Sequence, residues 1–207
     1  MAERATVFLM VKAPRPGRVK TRLARDIGEM PAVRFHRHNT LMVIRRLRDP
    51  RWRLVLAVAP EAPHTARWWP GDLPRISQGQ GDLGARMAHV FTQASAGPAL
   101  IIGSDIPGVT AGRIARAFDA LRGADAVIGP APDGGYWLIG LWRGPGPRGM
   151  FEGVRWSGPH ARADTIANLE ARSLRVALAD ELSDVDDAAS YRATGAANAR
   201  VIPRRGA

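Results

Sequence analysis

Thr6 to Val11, T-V-F-L-M-V, is an almost unbroken apolar run that turns at once into Lys12-Ala-Pro-Arg-Pro-Gly17. A run of this kind, with no polar alternation and a turn-forming stop, reads as a strand buried on both faces in the middle of a sheet. Three further segments have the same character: Arg53 to Ala59 (R-L-V-L-A-V-A), Ala99 to Gly103 (A-L-I-I-G) and Asp125 to Gly129. Between them the apolar period changes from continuous to helical. Val33, Leu41, Ile44 and Leu47 space a helix over Pro31 to Arg48, with Pro31 in its first turn and Asp49-Pro50 as its stop. Leu83, Met87, Val90, Phe91 and Ala94 mark a second helix over Leu83 to Ala94, and Ile114, Phe118 and Leu121 a third that begins after Pro107.

The remaining segments complete the alternation. Short strands are expected at Arg75 to Gln78, Tyr136 to Trp142 and Leu174 to Leu178, helices at Ala161 to Ala171 and Ala188 to Ala193, and a frayed tail over about 203–207. Apolar strands alternating with amphipathic helices specify an α/β fold: one domain over residues 1–207, with a mostly parallel sheet and helices on both faces. Such sheets bind ligands at the carboxyl ends of their strands. That rule selects four polar loops: Lys12 to Arg22, Gln78 to Arg86, Ser104 to Gly108 and Pro132 to Tyr136.

Composition narrows the chemistry. The 207 residues are 45% hydrophobic and 24% charged, ordinary globular usage. No apolar run approaches the roughly 20 residues that cross a bilayer, and no signal peptide is legible at the start, so a cytoplasmic protein without a membrane partner is expected. Cysteine is absent, so a metal would need oxygen or imidazole ligands, which suits Mg²⁺ or Mn²⁺. The net charge is +11 and all but two of the 30 basic residues are arginine, dispersed from Arg4 to Arg205. Dispersal of that kind argues against a specific nucleic-acid interface. The two lysines, Lys12 and Lys20, stand only eight positions apart.

K-A-P-R-P-G-R-V-K-T-R-L-A, Lys12 to Ala24, runs from the end of a strand into a helix. Pro14 and Gly17 shape a loop whose amides can face phosphate, Lys12, Lys20 and Arg22 add positive charge, and Thr21 can cap the helix or bond an oxygen. It is not a Walker A loop; a solvated basic turn is its plain alternative. In G-S-D-I-P, Gly103 to Pro107, Asp105 closes a central strand and can hold a divalent cation on nucleotide phosphates, with helix capping as the alternative. Ser104 precedes it on the nucleotide side. In D-G-G-Y, Asp133 can orient or deprotonate an acceptor and Tyr136 can stack or donate a hydrogen bond, while Gly134 and Gly135 allow close approach; a tight hairpin turn uses the same residues. In Q-G-Q-G-D-L-G-A-R-M, Gln80, Gly81, Asp82 and Arg86 can read a base or ribose, or Asp82 can simply cap the helix. In the acidic run Asp180 to Asp187, Asp184 or Asp186 can supply a second metal carboxylate. Trp156-Ser157 can line an acceptor pocket. The five histidines show no metal-ligand spacing and receive no role.

The succession K-x-P-x-P-G-x-V-K-T-R-L, Q-G-x-G-D-L-G-x-R-M, G-S-D-x-P, G-P-A-x-D-G-G-Y-x-L-I-G-L, W-S and D-V-D resembles one family from about Val7 to Asp187. It is similar to the small bacterial glycosyltransferase-A-like transferases of unassigned specificity, relatives of the phospholactate and molybdenum-cofactor guanylyltransferases. The resemblance implies a nucleotide-diphospho-sugar transferase fold, the Lys12 to Arg22 loop on the nucleotide phosphates, Asp105 on the metal with Asp186 near it, and Asp133 to Tyr136 beside the acceptor. One departure is plain: a glycosyltransferase of this fold usually carries D-x-D, whereas Asp105 has Gly103 before it and Pro107 after it, the single carboxylate of nucleotidyltransferase relatives. The expected partners are a nucleotide or nucleotide-sugar and a small-molecule acceptor. The expected activity is glycosyl transfer from a nucleotide-sugar, ahead of guanylyltransferase-like transfer of a nucleotidyl group from a triphosphate to a phosphorylated small molecule with release of pyrophosphate, with nucleotide binding without turnover as a further alternative. In either transfer Lys20 and Arg22 would stabilise the leaving group, and Asp133 and Tyr136 would serve the acceptor.

Overall fold

The computed structural model describes residues 4–60, 67–142 and 148–184. They form β1 (Ala5–Lys12), α1 (Thr21–Ile27), α2 (Glu29–Leu47), β2 (Trp52–Ala59), β3 (Arg75–Ser77), α3 (Leu83–Thr92), β4 (Ala99–Gly103), α4 (Ala111–Ala120), β5 (Ala126–Pro130), β6 (Tyr136–Leu141), α5 (Ala161–Glu170) and β7 (Val176–Leu178). The seven strands make one sheet in the order β3-β2-β1-β4-β6-β5-β7. Every neighbouring pair is parallel except those of β6, which runs against both β4 and β5. The sheet is therefore mostly parallel, and the one reversal follows from the short turn that joins β5 to β6, too short for a crossover.

Strand β1 shows how the helices are divided between the two faces. Val7, Leu9 and Val11 point to one side and pack in a core with Val43, Ile44 and Leu47 of α2 and Ile114 and Ala117 of α4. Phe8 points to the other, into a core with Met87, Val90 and Phe91 of α3 and Leu169 of α5. The two-residue alternation of a strand thus sorts α2 and α4 from α3 and α5. Fully burying one such side chain stabilises the fold by about 1.5–3 kcal/mol.

The helix expected from Pro31 begins at Glu29 and is preceded by a separate short helix, α1, which the apolar spacing did not mark out. The break falls at Gly28, whose φ of +88° interrupts helical geometry where glycine adopts it without strain. Pro31 stays within the first turn of α2, where a missing N–H costs nothing. The other elements agree with expectation to within two residues at most ends; the expected helix over Ala188 to Ala193 and the tail lie outside the described residues.

From β3 the chain passes through α3 to β4, on the opposite side of β1 from β2. The carboxyl ends of β1 and β4 are consequently the point where strand order switches, the place where open α/β sheets bind ligands. Among the described residues no helix is long and apolar enough to cross a membrane.

Candidate functional site

Lys20 and Asp105, one from the loop after β1 and one from the end of β4, meet at this switch point. Lys20 Nζ lies 2.9 Å from Asp105 Oδ2. The lysine side chain is 3% exposed and the aspartate 33%, while Asp105 Oδ1 itself is buried. Burial pushes the Asp105 carboxyl upward, but the His36 ring and then the Lys20 charge outweigh it and hold the group down at about 2. Lys20 is also the N-cap residue of α1, with φ 48° and ψ 44°. A non-glycine residue in the left-handed region carries local strain, of a kind that collects at functional sites when the surrounding structure holds it. Thr21 does not cap the helix: it is the first helical residue, and no side chain caps α1.

His36, on α2, is 3% exposed and was given no role from sequence. Its Nε2 lies 3.1 Å from Lys12 O. A carbonyl only accepts, so Nε2 carries the proton there. Nδ1 stands 3.3 Å from Asp105 Oδ1, a distance for an ion pair but without hydrogen-bond alignment. One turn further along α2, Asn39 Nδ2 donates to Ser104 O at 3.1 Å. His36, Asn39, Thr40, Val43, Ile44 and Leu47 are all buried, on one face of the helix, so three polar residues stand in an otherwise apolar stripe. That is the signal that could have found them: a histidine and an asparagine three apart, in phase with the core positions.

Gln78 plays the same part on the other side of β1. It is 2% exposed and its Nε2 donates to Val11 O at 3.1 Å and Ala57 O at 2.8 Å. Arg86 donates from a guanidinium nitrogen to its Oε1 at 3.4 Å. Gln80, Gly81 and Asp82 lie exposed beyond this anchor, and Asp82 caps α3 by accepting from Ala85 N at 2.8 Å. Of the Lys12 to Arg22 loop, Pro14 is buried, whereas Lys12, Gly17, Thr21 and Arg22 are exposed.

From Ile106, the residue after Asp105, a cavity of about 290 Å³ extends, lined also by Asp133, Gly135, Tyr136, Trp156 and Asp184 among others. The D-G-G turn and the W-S pair, more than 20 residues apart in sequence, are thus brought to one space. Gly134 has φ +83°, and a Cβ there would lie 2.3 Å from Pro159 O. Its close approach is therefore to the segment before α5, which the bond from Arg162 N to Gly134 O at 3.1 Å secures. Asp133 Oδ1 accepts from Gly135 N at 2.9 Å, so one oxygen shapes the turn. Thr165 donates to Ala161 O at 2.8 Å, which leaves its oxygen to accept from the Tyr136 hydroxyl at 3.4 Å. Burial raises the Tyr136 pKa, so the phenol keeps its proton. Trp156 stands edge-on to Tyr136, with ring centres 6.3 Å apart, and its Nε1 is buried without a partner among the described residues. Asp186 lies outside the described residues; among the described residues of the acidic run, Asp184 reaches the cavity. A larger cavity of about 630 Å³ lies between α3 and residues 148–153 and shares none of Ile106, Asp133 and Tyr136 with the smaller one; neither cavity is lined by Lys20 or Asp105 themselves.

Comparison with known proteins bears on the fold. Residues 42–158 match the model of a family described as uncharacterized proteins conserved in bacteria (DUF2064). No curated protein sequence matches the chain. The fold is similar to the crystal structure of a candidate nucleotide-diphospho-sugar transferase from Desulfovibrio desulfuricans G20, at 28% identity and a TM-score of 0.87, covering 99% of this chain and 92% of that one. It is similar also to 4-diphosphocytidyl-2C-methyl-D-erythritol synthase from Anaerococcus prevotii DSM 20548, at 9% identity and a TM-score of 0.61 over 96% of this chain and 99% of that one. A third, Rv0371c from Mycobacterium tuberculosis H37Rv in complex with manganese, aligns at 17% identity and a TM-score of 0.53 over 93% and 98%. With a matched segment that takes in β2 to β6 and the cavity turn, and a fold similar over almost its whole length to that of a solved structure, the chain belongs to the DUF2064 family and has the nucleotide-diphospho-sugar transferase fold.

Proposed function

We propose that the protein is a metal-dependent transferase that takes a sugar from a nucleotide-sugar and passes it to a small-molecule acceptor. The observation that carries this is the Lys20–Asp105 pair at the switch point, with a cavity whose wall includes Ile106, the residue that follows Asp105. A paired cation and carboxylate at that edge suit phosphates, and an adjoining cavity suits a second reactant. The relatives of this fold named above support nucleotide chemistry in general.

Asp105 fits a divalent cation in a specific way. Among the described residues no three His, Asp or Glu side chains converge, so a cage built wholly of protein is not formed there. One carboxylate completed by phosphate oxygens and water is the Mg²⁺ pattern, and the absence of cysteine leaves only hard ligands. Asp105 would hold Mg²⁺ or Mn²⁺, with Asp186 as the second candidate carboxylate, and the ion would neutralise phosphate charge. Lys20, with Lys12 and Arg22 at the rim, supplies positive charge where the leaving nucleoside diphosphate gathers negative charge. Pro14 and Gly17 hold the loop that presents them, and Ser104, Gln80, Gly81, Asp82 and Arg86 flank the nucleotide side. In the acceptor cavity Asp133 receives the acceptor's proton, Tyr136 donates a hydrogen bond, and Gly134, Gly135 and Trp156 shape the wall. The acceptor atom bonds to the anomeric carbon as that carbon's bond to the phosphate oxygen breaks, and the electron pair leaves with the nucleoside diphosphate.

A specific observation favours a second reading, nucleotidyl transfer: Asp105 stands without a carboxylate two residues to either side. In that case the α–β phosphate linkage breaks and pyrophosphate leaves. A thermal-shift screen against nucleoside triphosphates and nucleotide-sugars, with and without Mg²⁺ or Mn²⁺, separates the two, since a ligand of the folded state raises Tm. Metal-dependent stabilisation by a nucleotide-sugar, abolished in Asp105→Ala, is the expected outcome. Preference for a triphosphate would transfer support to nucleotidyl transfer, and no response from folded protein would refute both.

A further inference from the structure

The loop that carries Asp105 is held from two helices. From α2, Asn39 donates to Ser104 O at 3.1 Å and Arg46 donates to Pro107 O; from α4, a terminal nitrogen of Arg113 donates to Gly108 O at 2.8 Å. Arg113 reaches a second segment as well. Its Nε donates to Asp180 Oδ2 at 3.1 Å, and Arg116, one turn further along the same helix, donates to the same oxygen. Asp180 opens the acidic run, which is laid against the sheet by Ala179 N on Ile128 O at 2.9 Å, Leu182 N on Pro130 O at 3.1 Å and the Trp137 indole N–H on Asp180 O at 2.9 Å. The loop and the run come close at Gly108, where a Cβ would lie 3.2 Å from Leu182 Cδ2. Shortly beyond Leu182 the run reaches the cavity wall at Asp184.

Arg48 and Arg155 each turn two guanidinium nitrogens on one aspartate. Arg113 instead divides its own between a carbonyl after β4 and a carboxylate after β7, segments far apart in sequence. Its pair with Asp180 is half-exposed, at 35% and 38%, and adds little to stability. What two bonds from one planar guanidinium add is a fixed spacing, and groups behind metal-holding side chains set how those side chains are presented. We propose that Arg113 is a positioning residue of the site: by holding Gly108 and Asp180 together it sets the spacing between the loop that carries Asp105 and the run that carries Asp184 and Asp186. Lysine does not replace it, since one ammonium offers a point charge where two bonds in fixed directions are needed. The functional half of this inference rests on the metal-dependent reading of Asp105; the clasp between the two segments does not.

The chain lacks cysteine, so Gly108→Cys with Leu182→Cys places one defined thiol pair across the contact, and the second substitution removes the side chain that would crowd the first. Disulfide formation in a glutathione buffer is followed on the full chain with Arg113 present, as Arg113→Met and as Arg116→Met. Arg113→Met is expected to slow crosslinking about tenfold, as the effective concentration of one thiol at the other falls, and Arg116→Met, which keeps the bond to Gly108, by less. Mn²⁺ binding is then read by electron paramagnetic resonance, with Mn²⁺ alone and with Mn²⁺ plus the nucleotide that most raises Tm. In the wild-type background Arg113→Met and Arg113→Lys are both expected to weaken Mn²⁺ binding about tenfold or more, with the circular-dichroism spectrum unchanged. In the cysteine pair, oxidation is expected to restore the affinity lost in Arg113→Met and reduction to remove it again. Crosslinking that is as fast without Arg113, or absent with it, overturns the clasp. Mn²⁺ affinity unmoved by Arg113→Met, or lost and not restored by the disulfide, overturns its role in the site. If the wild type binds no Mn²⁺ under either condition, the metal-dependent reading fails alone, and the crosslinking rate decides the clasp by itself.

Discussion

The switch point between β1 and β4 and the cavity beside β6 lie along one edge of the sheet, yet they are held together by different means. At the switch point three buried polar side chains, His36, Asn39 and Gln78, each bond main-chain carbonyls of strand or post-strand residues. Those bonds fix the ends of β1, β2 and β4 relative to α2 before any ligand arrives. The cavity depends on a turn, one glycine contact and aromatic edges, and its partners come from segments far apart in sequence. Preorganised charge belongs with a constant reactant such as phosphate, and a wall built from loops belongs with the reactant that varies among relatives. A substitution at the first region should therefore disable the reaction, and one at the second should redirect it.

The sharpest test of that contrast is a pair of substitutions. Asp105→Ala is expected to lower kcat by about a hundredfold or more, as loss of a preorganised electrostatic group does, whereas Trp156→Ala is expected to raise KM for the acceptor and leave nucleotide affinity unchanged. Steady-state kinetics with each reactant varied in turn decides it. Equal loss of nucleotide affinity in both variants would dissolve the distinction between the two regions. Lys20→Met sharpens the first arm: nucleotide affinity is expected to fall about tenfold to a hundredfold, since a charge-assisted contact from an almost fully enclosed ammonium is lost. Titration calorimetry with the stabilising nucleotide measures it, and unchanged affinity would make Lys20 a structural partner of Asp105 only.

The two regions also differ in how far they could be read from sequence. Strands β1, β2 and β4 announce themselves as apolar runs, and the switch-point rule then leads directly to Lys20 and Asp105. The residues that fasten this point, His36 and Asn39, were passed over because a polar side chain in an apolar helical stripe looks like an interruption until its carbonyl partner, 24 or 65 residues away, is known. Gln78 escaped for the same reason, although its neighbour Gln80 was singled out. In the cavity, Asp133, Tyr136 and Trp156 were legible as motif residues, but their meeting was not, since it depends on how residues 153–160 return across the turn. The role of Gly134 also changes: its missing side chain admits Pro159.

Gly134→Ala tests that fastening. A φ of +83° and a Cβ 2.3 Å from a carbonyl oxygen leave alanine no room without backbone movement, so stability is expected to fall by about 1–3 kcal/mol. For a chain of this length that lowers Tm by about 2–4 °C per kcal/mol. Differential scanning calorimetry gives the shift, and acceptor KM should rise with it as the turn withdraws from α5. Unaltered Tm would show that the turn relaxes freely and that its contact with the segment before α5 does not hold the cavity in shape.

The smallest effect expected is on the acid limb of stability, and it probes the switch point alone. Asp105 has a folded-state value of about 2 against an ordinary 3.8, so folding favours its ionised form. A lowered carboxyl contributes stability that is fully present above the unfolded value and is lost as pH falls through the folded one. The advantage of wild type over Asp105→Asn should thus be constant above about pH 4 and shrink between about pH 4 and 2. Urea unfolding of both proteins at a series of pH values reads the difference directly. In Lys20→Met the lower end of that window should rise, because one of the charges that hold the carboxyl down is gone while burial still pushes it up. A window that stays in place would assign the lowering to His36, and with it the greater part of the electrostatics at the β4 end to a residue of α2.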